Sequence, residues 1–232
     1  GGTKGGTDTE APAEEVKEFP GLIPEWVWAS RPILQHIRDA AHSRCASGDV
    51  ALYATLVRMS GMLDHRIVAD VGQGYASLNL FVGIVANSGG GKTSGVKASN
   101  DLLVMPDRDF LDDVTASTGE GITEAFLGMV GTGEYHEKGQ NAGKEITERG
   151  QVRHNVFFSI DEGQALINQG SKANSILWPI IRSAWQSGTL SQQNATEDRK
   201  RKVGAHTYSM GLLVAFQEPN ALDVLRDDLT GT

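Results

Sequence analysis

Two short stretches of the chain carry residue types and spacings suited to phosphate chemistry. In the first, the apolar and β-forming residues Leu78, Leu80, Phe81, Val82, Ile84 and Val85 give way at Ala86 and Asn87 to Ser88, Gly89, Gly90, Gly91, Lys92, Thr93 and Ser94. A buried strand that breaks into glycines and restarts as a helix turns successive backbone N–H groups inward without Cβ clashes. The new helix adds the positive end of its dipole. Residues 86–94 are therefore expected to cradle the phosphates of a nucleotide, ATP, with Lys92 reaching the β- and γ-phosphates and the Thr93 hydroxyl ligating Mg²⁺. Ala86 stands where the commonest form of this pattern has its first glycine. In the second stretch, Val156, Phe157, Phe158, Ser159 and Ile160 run into Asp161 and Glu162, about seventy residues further on. That is the Walker B arrangement: Asp161 to hold the Mg²⁺ ion, and Glu162 to take a proton from the attacking water as general base. The second pattern is weak alone, because any strand may end in an acidic turn, and becomes strong when paired with the first.

The elements that must position these groups can be read around them. Tyr208 to Phe216 is a buried strand, and Gln217 at its tip is expected to sense the γ-phosphate, with a further helix over Ala221 to Arg226. Pro24 to Ala41 reads as a helix with Trp26, Ile33, Ile37 and Ala40 or Ala41 on one face, and Asp49 to Met62 as a second with Leu52, Leu56, Val57 and Met59 on its apolar side. Arg66 to Ala69 is expected as a short strand before a turn at Gly72 and Gly74. Thr93 to Met105 is a helix stopped by Pro106, and Phe110 to Ala116 a second strand despite its paired Asp112 and Asp113. Ser117 to Glu120 has capping-box spacing and opens a helix to about Val130. Further helices are expected over Ala165 to Gln169 and Ser171 to Trp185, and a hairpin over Thr189 to Gln192 and Val203 onward. Its tip carries the most basic run, Arg199 to Lys202: a solvated turn, a contact for nucleic-acid phosphates, or a finger in which Arg199 or Arg201 reaches a neighbouring subunit's γ-phosphate.

The expected organisation is a flexible linker over 1–20, a helical cap over 21–63, and an α/β core over 64–232 with an insertion at 131–154 that is read as mobile or, in part, as a hairpin. A chain of 232 residues with 39% hydrophobic and 22% charged residues suits one sizeable domain with an appendage. The net charge of −8 excludes a uniformly basic, nucleic-acid-coating surface but leaves room for a local basic channel. Cys45 stands alone, which rules out an internal disulfide framework, fits a reducing cytoplasm, and reads as a small helix residue. No stretch approaches the length of a membrane span.

With the three motif strands lined up, the chain resembles the additional-strand, catalytic-glutamate division of P-loop ATPases, which holds RecA-like and AAA-like motors. It is more closely similar to ATPase domains of phage and mobile-element proteins associated with primases and helicases. The residues that carry this are Trp26, Arg31, Pro32, Leu34 and Ile37, the 77–93 segment, the Thr118 to Leu127 helix opening, FFSIDEG at 157–163, Trp185 to Gly188, and LLVAFQEPNAL at 212–222. The resemblance implies a three-layer α/β/α fold with a mainly parallel sheet ordered 2-3-4-1 and the Gln217 strand central. It further implies ring assembly as a homo-oligomer and a role on single- or double-stranded DNA. Domains of this kind usually carry at least one more strand at the sheet edge than these segments supply, so the expectation is either a sequence that stops short of the native protein, leaving the sheet incomplete at its C-terminal side, or an unusually small sheet. Two functions follow: an ATP-hydrolysing module of a DNA-replication or DNA-processing motor, or a nucleotide-dependent switch or assembly ATPase without translocation. A small-molecule kinase ranks below both, because Glu162 beside Asp161 suits water activation and no lid-like arginine cluster follows the core.

Overall fold

A computed structural model describes residues 22–86, 91–104, 110–192 and 201–217. At its centre lie four parallel strands, β3 (Leu80–Val85), β4 (Phe110–Val114), β7 (Asn155–Ile160) and β10 (Ser209–Phe216), in the spatial order β3-β10-β7-β4. In sequence order of these four strands that is 2-3-4-1, with the strand leading to Gln217 central, as the resemblance implies.

Alternation along the strands sorts side chains to the two faces. Leu80, Val82 and Ile84 of β3, Phe157 of β7 and Leu213 of β10 meet Val50, Ala54 and Val57 of α3 (Gly48–Met62) and Val96 of α4 (Lys92–Leu102). On the other face Val156, Phe158, Ile160, Met210, Leu212 and Val214 meet α5 (Gly119–Glu124), α6 (Gly163–Gly170) and α7 (Leu177–Trp185). The result is a three-layer α/β/α stack. Outside it, α1 (Glu25–Ala29) and α2 (Pro32–His42) bury Trp28, Ile37 and Ala41 against Ala51 and Leu52 of α3 and Ala98 of α4.

The segment expected as a helical cap thus sends α3 onto the sheet itself. Covered by strands on one side and by α2 and α4 on others, α3 buries Val50, Ala51, Ala54, Thr55 and Arg58, while Leu56 and Met59 of the expected stripe are exposed. Small residues set the spacing: a Cβ on Gly61 would lie 2.7 Å from the Val156 carbonyl oxygen, and one on Gly211 of β10 would collide with that of Val57. The buried Arg58 donates to the Leu103 carbonyl (2.8 Å), Asn100 (3.1 Å) and Asp112, stitching α3 to α4 and β4. The Asn155 amide donates to the Gly61 and Leu63 carbonyls at 2.9 and 2.8 Å, capping the end of α3 from β7.

Several expectations are corrected. The first helix breaks at Arg31, held extended (φ −149°, ψ 139°) by the proline that follows, and Trp28 is buried while Trp26 and Ile33 face solvent. The N-cap of α5 is Thr118, whose hydroxyl accepts from the Gly121 N–H at 3.0 Å, and this helix ends at Glu124. Leu127–Tyr135 (β5) then pairs antiparallel with Glu145–Gln151 (β6), because buried Phe126 and Leu127 redirect the chain and three glycines follow in a segment that has a strand partner. Helix α7 starts at Leu177, not Ser171, after a turn with Asn174 at φ 65°. Cys45 lies in the turn after α2 at φ 53°, exposed, and not in a helix. The first small strand lies slightly later than expected, Val68–Asp70 (β1), pairing with Tyr75–Ser77 (β2) across the Gly72–Gly74 turn. The expected basic hairpin is present as Leu190–Gln192 (β8) against Arg201–Val203 (β9). Its tip and the helix expected after Gln217 lie outside the described residues. No helix among the described residues is long and apolar enough to cross a membrane.

Near the amino-terminal ends of β7 and β10, His65 stacks on His154 with ring centroids 5.2 Å apart, and His154 Nδ1 donates to the Thr207 carbonyl at 2.6 Å. Burial lowers the His65 pKa below its ordinary 6.5, the Asp64 carboxylate opposes this, and His154 and Arg66 add to it. The unfolded chain therefore binds this proton more readily than the folded one. Stability from His65 is complete above pH 6.5 and is lost as pH falls below that value. Urea denaturation between pH 7.5 and 5.5 is expected to show stability falling as pH drops below 6.5, with a smaller fall in His65→Asn. An equal fall in that variant would assign the effect elsewhere.

Candidate functional site

Strand β3 ends at Val85, opposite Phe216 of β10, and the Ala86 N–H donates to the Phe216 carbonyl at 3.2 Å. The chain re-enters the described residues at Gly91, the N-cap of α4, with φ 72° and ψ 13°, a left-handed conformation that glycine adopts without strain. No side chain caps this helix, and Thr93 and Ser94 lie exposed in its first turn, where backbone N–H groups have no intrahelical acceptor. Lys92 folds back over the strand ends: its Nζ donates to the Ala86 carbonyl at 2.7 Å and the Phe216 carbonyl at 3.3 Å. Asn87, Ser88, Gly89 and Gly90 lie outside the described residues.

Two strands away, β7 delivers Asp161 and Glu162, both exposed, with Glu162 as the N-cap of α6. Register fixes the relation: Val85 and Phe216 are partners, as are Ile160 and Val214, so the ends of β3, β10 and β7 lie on one edge of the sheet. At about 4.8 Å between neighbouring strands, the ends of β3 and β7 are roughly 10 Å apart, with exposed Gln217 following β10 between them. This is the carboxyl edge of a parallel sheet, where open α/β folds bind ligands. Lys92, Thr93, Ser94, Asp161, Glu162 and Gln217 are brought together there. Arg201 belongs to β9, which packs with β6 and α5, and Arg199 lies outside the described residues.

A cavity of about 410 Å³ opens beside the acidic pair, between the ends of β4 and β7 and the start of α6. Asp161, Glu162, Ser159, Thr115 and Ser117 line it, together with Asp113. Asp113 was not a sequence candidate. A bulge between Leu111 and Val114 holds it at φ 53° and re-aims it, so that Asp112 pairs with Arg58 while Asp113 faces the cavity. Its signal in the sequence is the acidic pair itself, since adjacent strand residues point to opposite faces. Gly163 is a second residue missed: a Cβ there would overlap the Phe216 ring, so glycine is what lets α6 start against the end of β10.

The oxygen groups at this edge suit a hard cation. Mg²⁺ bound beside nucleotide phosphates takes only one or two protein oxygens, and Thr93 and Asp161 offer a hydroxyl and a carboxylate, both exposed. Among the described residues no group of three or more His, Cys, Asp or Glu side chains forms an all-protein metal cage. Neither the protein-family models nor the curated proteins contain a match to the chain.

Proposed function

We propose that the chain is an ATP-binding and ATP-hydrolysing module that works within a DNA-replication or DNA-processing assembly. The observation that supports it best is the common carboxyl edge, where the Gly91–Lys92 helix start, Gln217 and the Asp161–Glu162 pair lie on three adjacent parallel strands. Lys92 exchanges its carbonyl partners for β- and γ-phosphate oxygens, and the first-turn N–H groups of Thr93 and Ser94 complete the cradle. Thr93 and Asp161 would hold Mg²⁺, which would supply neutralising charge for the phosphates. Glu162 accepts the proton of the attacking water, and Gln217 reports loss of the γ-phosphate to β10. The part on DNA rests on the resemblance and on the basic run Arg199 to Lys202, whose last two residues begin β9.

ATP turnover measured against protein concentration, with and without single- and double-stranded DNA, tests all of this. The expected result is hydrolysis whose rate per chain rises with concentration, as in a ring whose neighbours complete each site, and rises again with DNA. Hydrolysis indifferent to DNA would replace the motor with a nucleotide-dependent switch or assembly ATPase. Absence of ATP binding would remove the nucleotide site altogether.

A further inference from the structure

Phe216 meets both arms of the proposed site at once. Its carbonyl oxygen accepts from the Ala86 N–H (3.2 Å) and from Lys92 Nζ (3.3 Å), the two ends of the phosphate turn. Its ring fills the space that the missing Cβ of Gly163 leaves, one residue after Glu162. On β3, a Cβ on Gly83 would stand 3.4 Å from the same ring. Gly163, on the helix after the acidic pair, thus admits the aromatic side chain of the neighbouring strand, and Gly83 of β3 lies within ordinary contact of the same ring.

We propose that Phe216 is a positioning residue that couples the phosphate turn to the Asp161–Glu162 arm, its carbonyl holding Ala86 and Lys92 while its ring seats the start of α6. This rests on the reading of the site as an ATPase. A packed aromatic ring has discrete arrangements and little compliance, so a change in the Lys92 contact is passed to Gly163, and so to Glu162, as a displacement. Gln217 follows directly in the chain and shares any movement of the strand end.

The backbone carbonyl and the ring can be separated by mutation. Phe216→Leu keeps the carbonyl and its two donors but removes the flat face against Gly163. ATP affinity is expected to stay within about threefold, while kcat falls about 10- to 100-fold, the scale of a misplaced general base. Phe216→Tyr, which keeps the ring on a half-buried position, is expected to restore kcat. Gly163→Ala approaches the same contact from α6 and should give the same kcat loss, which keeps the test open if Phe216→Leu does not fold. Hydrogen exchange with ATPγS carries the test without turnover. Binding should protect residues 163–170 in the wild-type chain, and in Phe216→Leu the protection should vanish although ATPγS still binds. Unchanged kcat, unchanged protection of 163–170 in Phe216→Leu, or no protection in a wild-type chain that binds ATPγS would each overturn the coupling. A wild-type chain that binds no ATPγS would instead overturn the functional reading beneath it.

Discussion

Lys92→Ala is expected to lose ATP binding, and Glu162→Gln to keep ATP binding while losing turnover. The two residues sit on the same sheet edge but make different contributions. Lys92 is part-buried, is held at the ends of β3 and β10, and can give its charge to the phosphates in ground and transition state alike. Its removal takes away a charge-assisted contact to an anion and should weaken binding by about 10- to 100-fold. Glu162 lies at the start of α6, two strands from the end of β3, and in the proposed mechanism would act only when a water must lose its proton. Glutamine keeps its shape and cannot accept that proton, so kcat should fall by about 10² to 10⁴ with little change in affinity. Calorimetric ATP titration and a steady-state phosphate-release assay separate the two. Equal loss of binding in both variants would show that Glu162 holds the nucleotide and does not activate water.

The second large effect is structural. Gly211→Ala places a methyl group against the Val57 carbonyl oxygen, an atom of helix backbone that cannot rotate away. Either α3 lifts from the sheet or β10 shifts out of register with β3 and β7. Overpacking of this kind costs about 3 kcal/mol, which for a domain of this size lowers Tm by roughly 6–12 °C. Gly133→Ala is the contrast, because its φ of 76° is unfavourable for alanine but nothing stands within 4 Å of the new Cβ. It should cost only about 1 kcal/mol. Similar melting temperatures for the two variants would mean that the close approach of α3 and β10 relaxes without cost.

That approach also shows what the sequence could and could not reveal. The three motif strands were legible because a continuous apolar run ending in glycines, a carboxylate pair or a glutamine is a local signal, and from their order the sheet order followed by resemblance. The role of α3 was not legible, because a helix buried on several sides with glycine, alanine and serine at its closest contacts carries no clean apolar stripe. The β5–β6 hairpin was missed in its first half because the capping signal at Thr118 is genuine, yet nothing local says that the helix ends after Glu124. Asp113 and Gly163 were missed for a common reason: each acquires its meaning from a residue distant in the chain, Arg58 by way of neighbouring Asp112 in the one case and Phe216 in the other.

The position of β10 between β3 and β7 has a consequence for the order of assembly during synthesis. Gly211 pairs with Leu80, roughly 130 positions earlier, so closing this part of the sheet means closing a long chain loop. β7 and β4 can pair with each other first, but β3 has no partner in the central sheet until β10 arrives. Ala86 and Lys92 depend on that partner too, because both donate to the Phe216 carbonyl. As the chain leaves the ribosome, Ala86 and Lys92 therefore emerge long before their shared acceptor on β10, and a nucleotide bound as proposed would stabilise the protein only after the last of the described strands has been made.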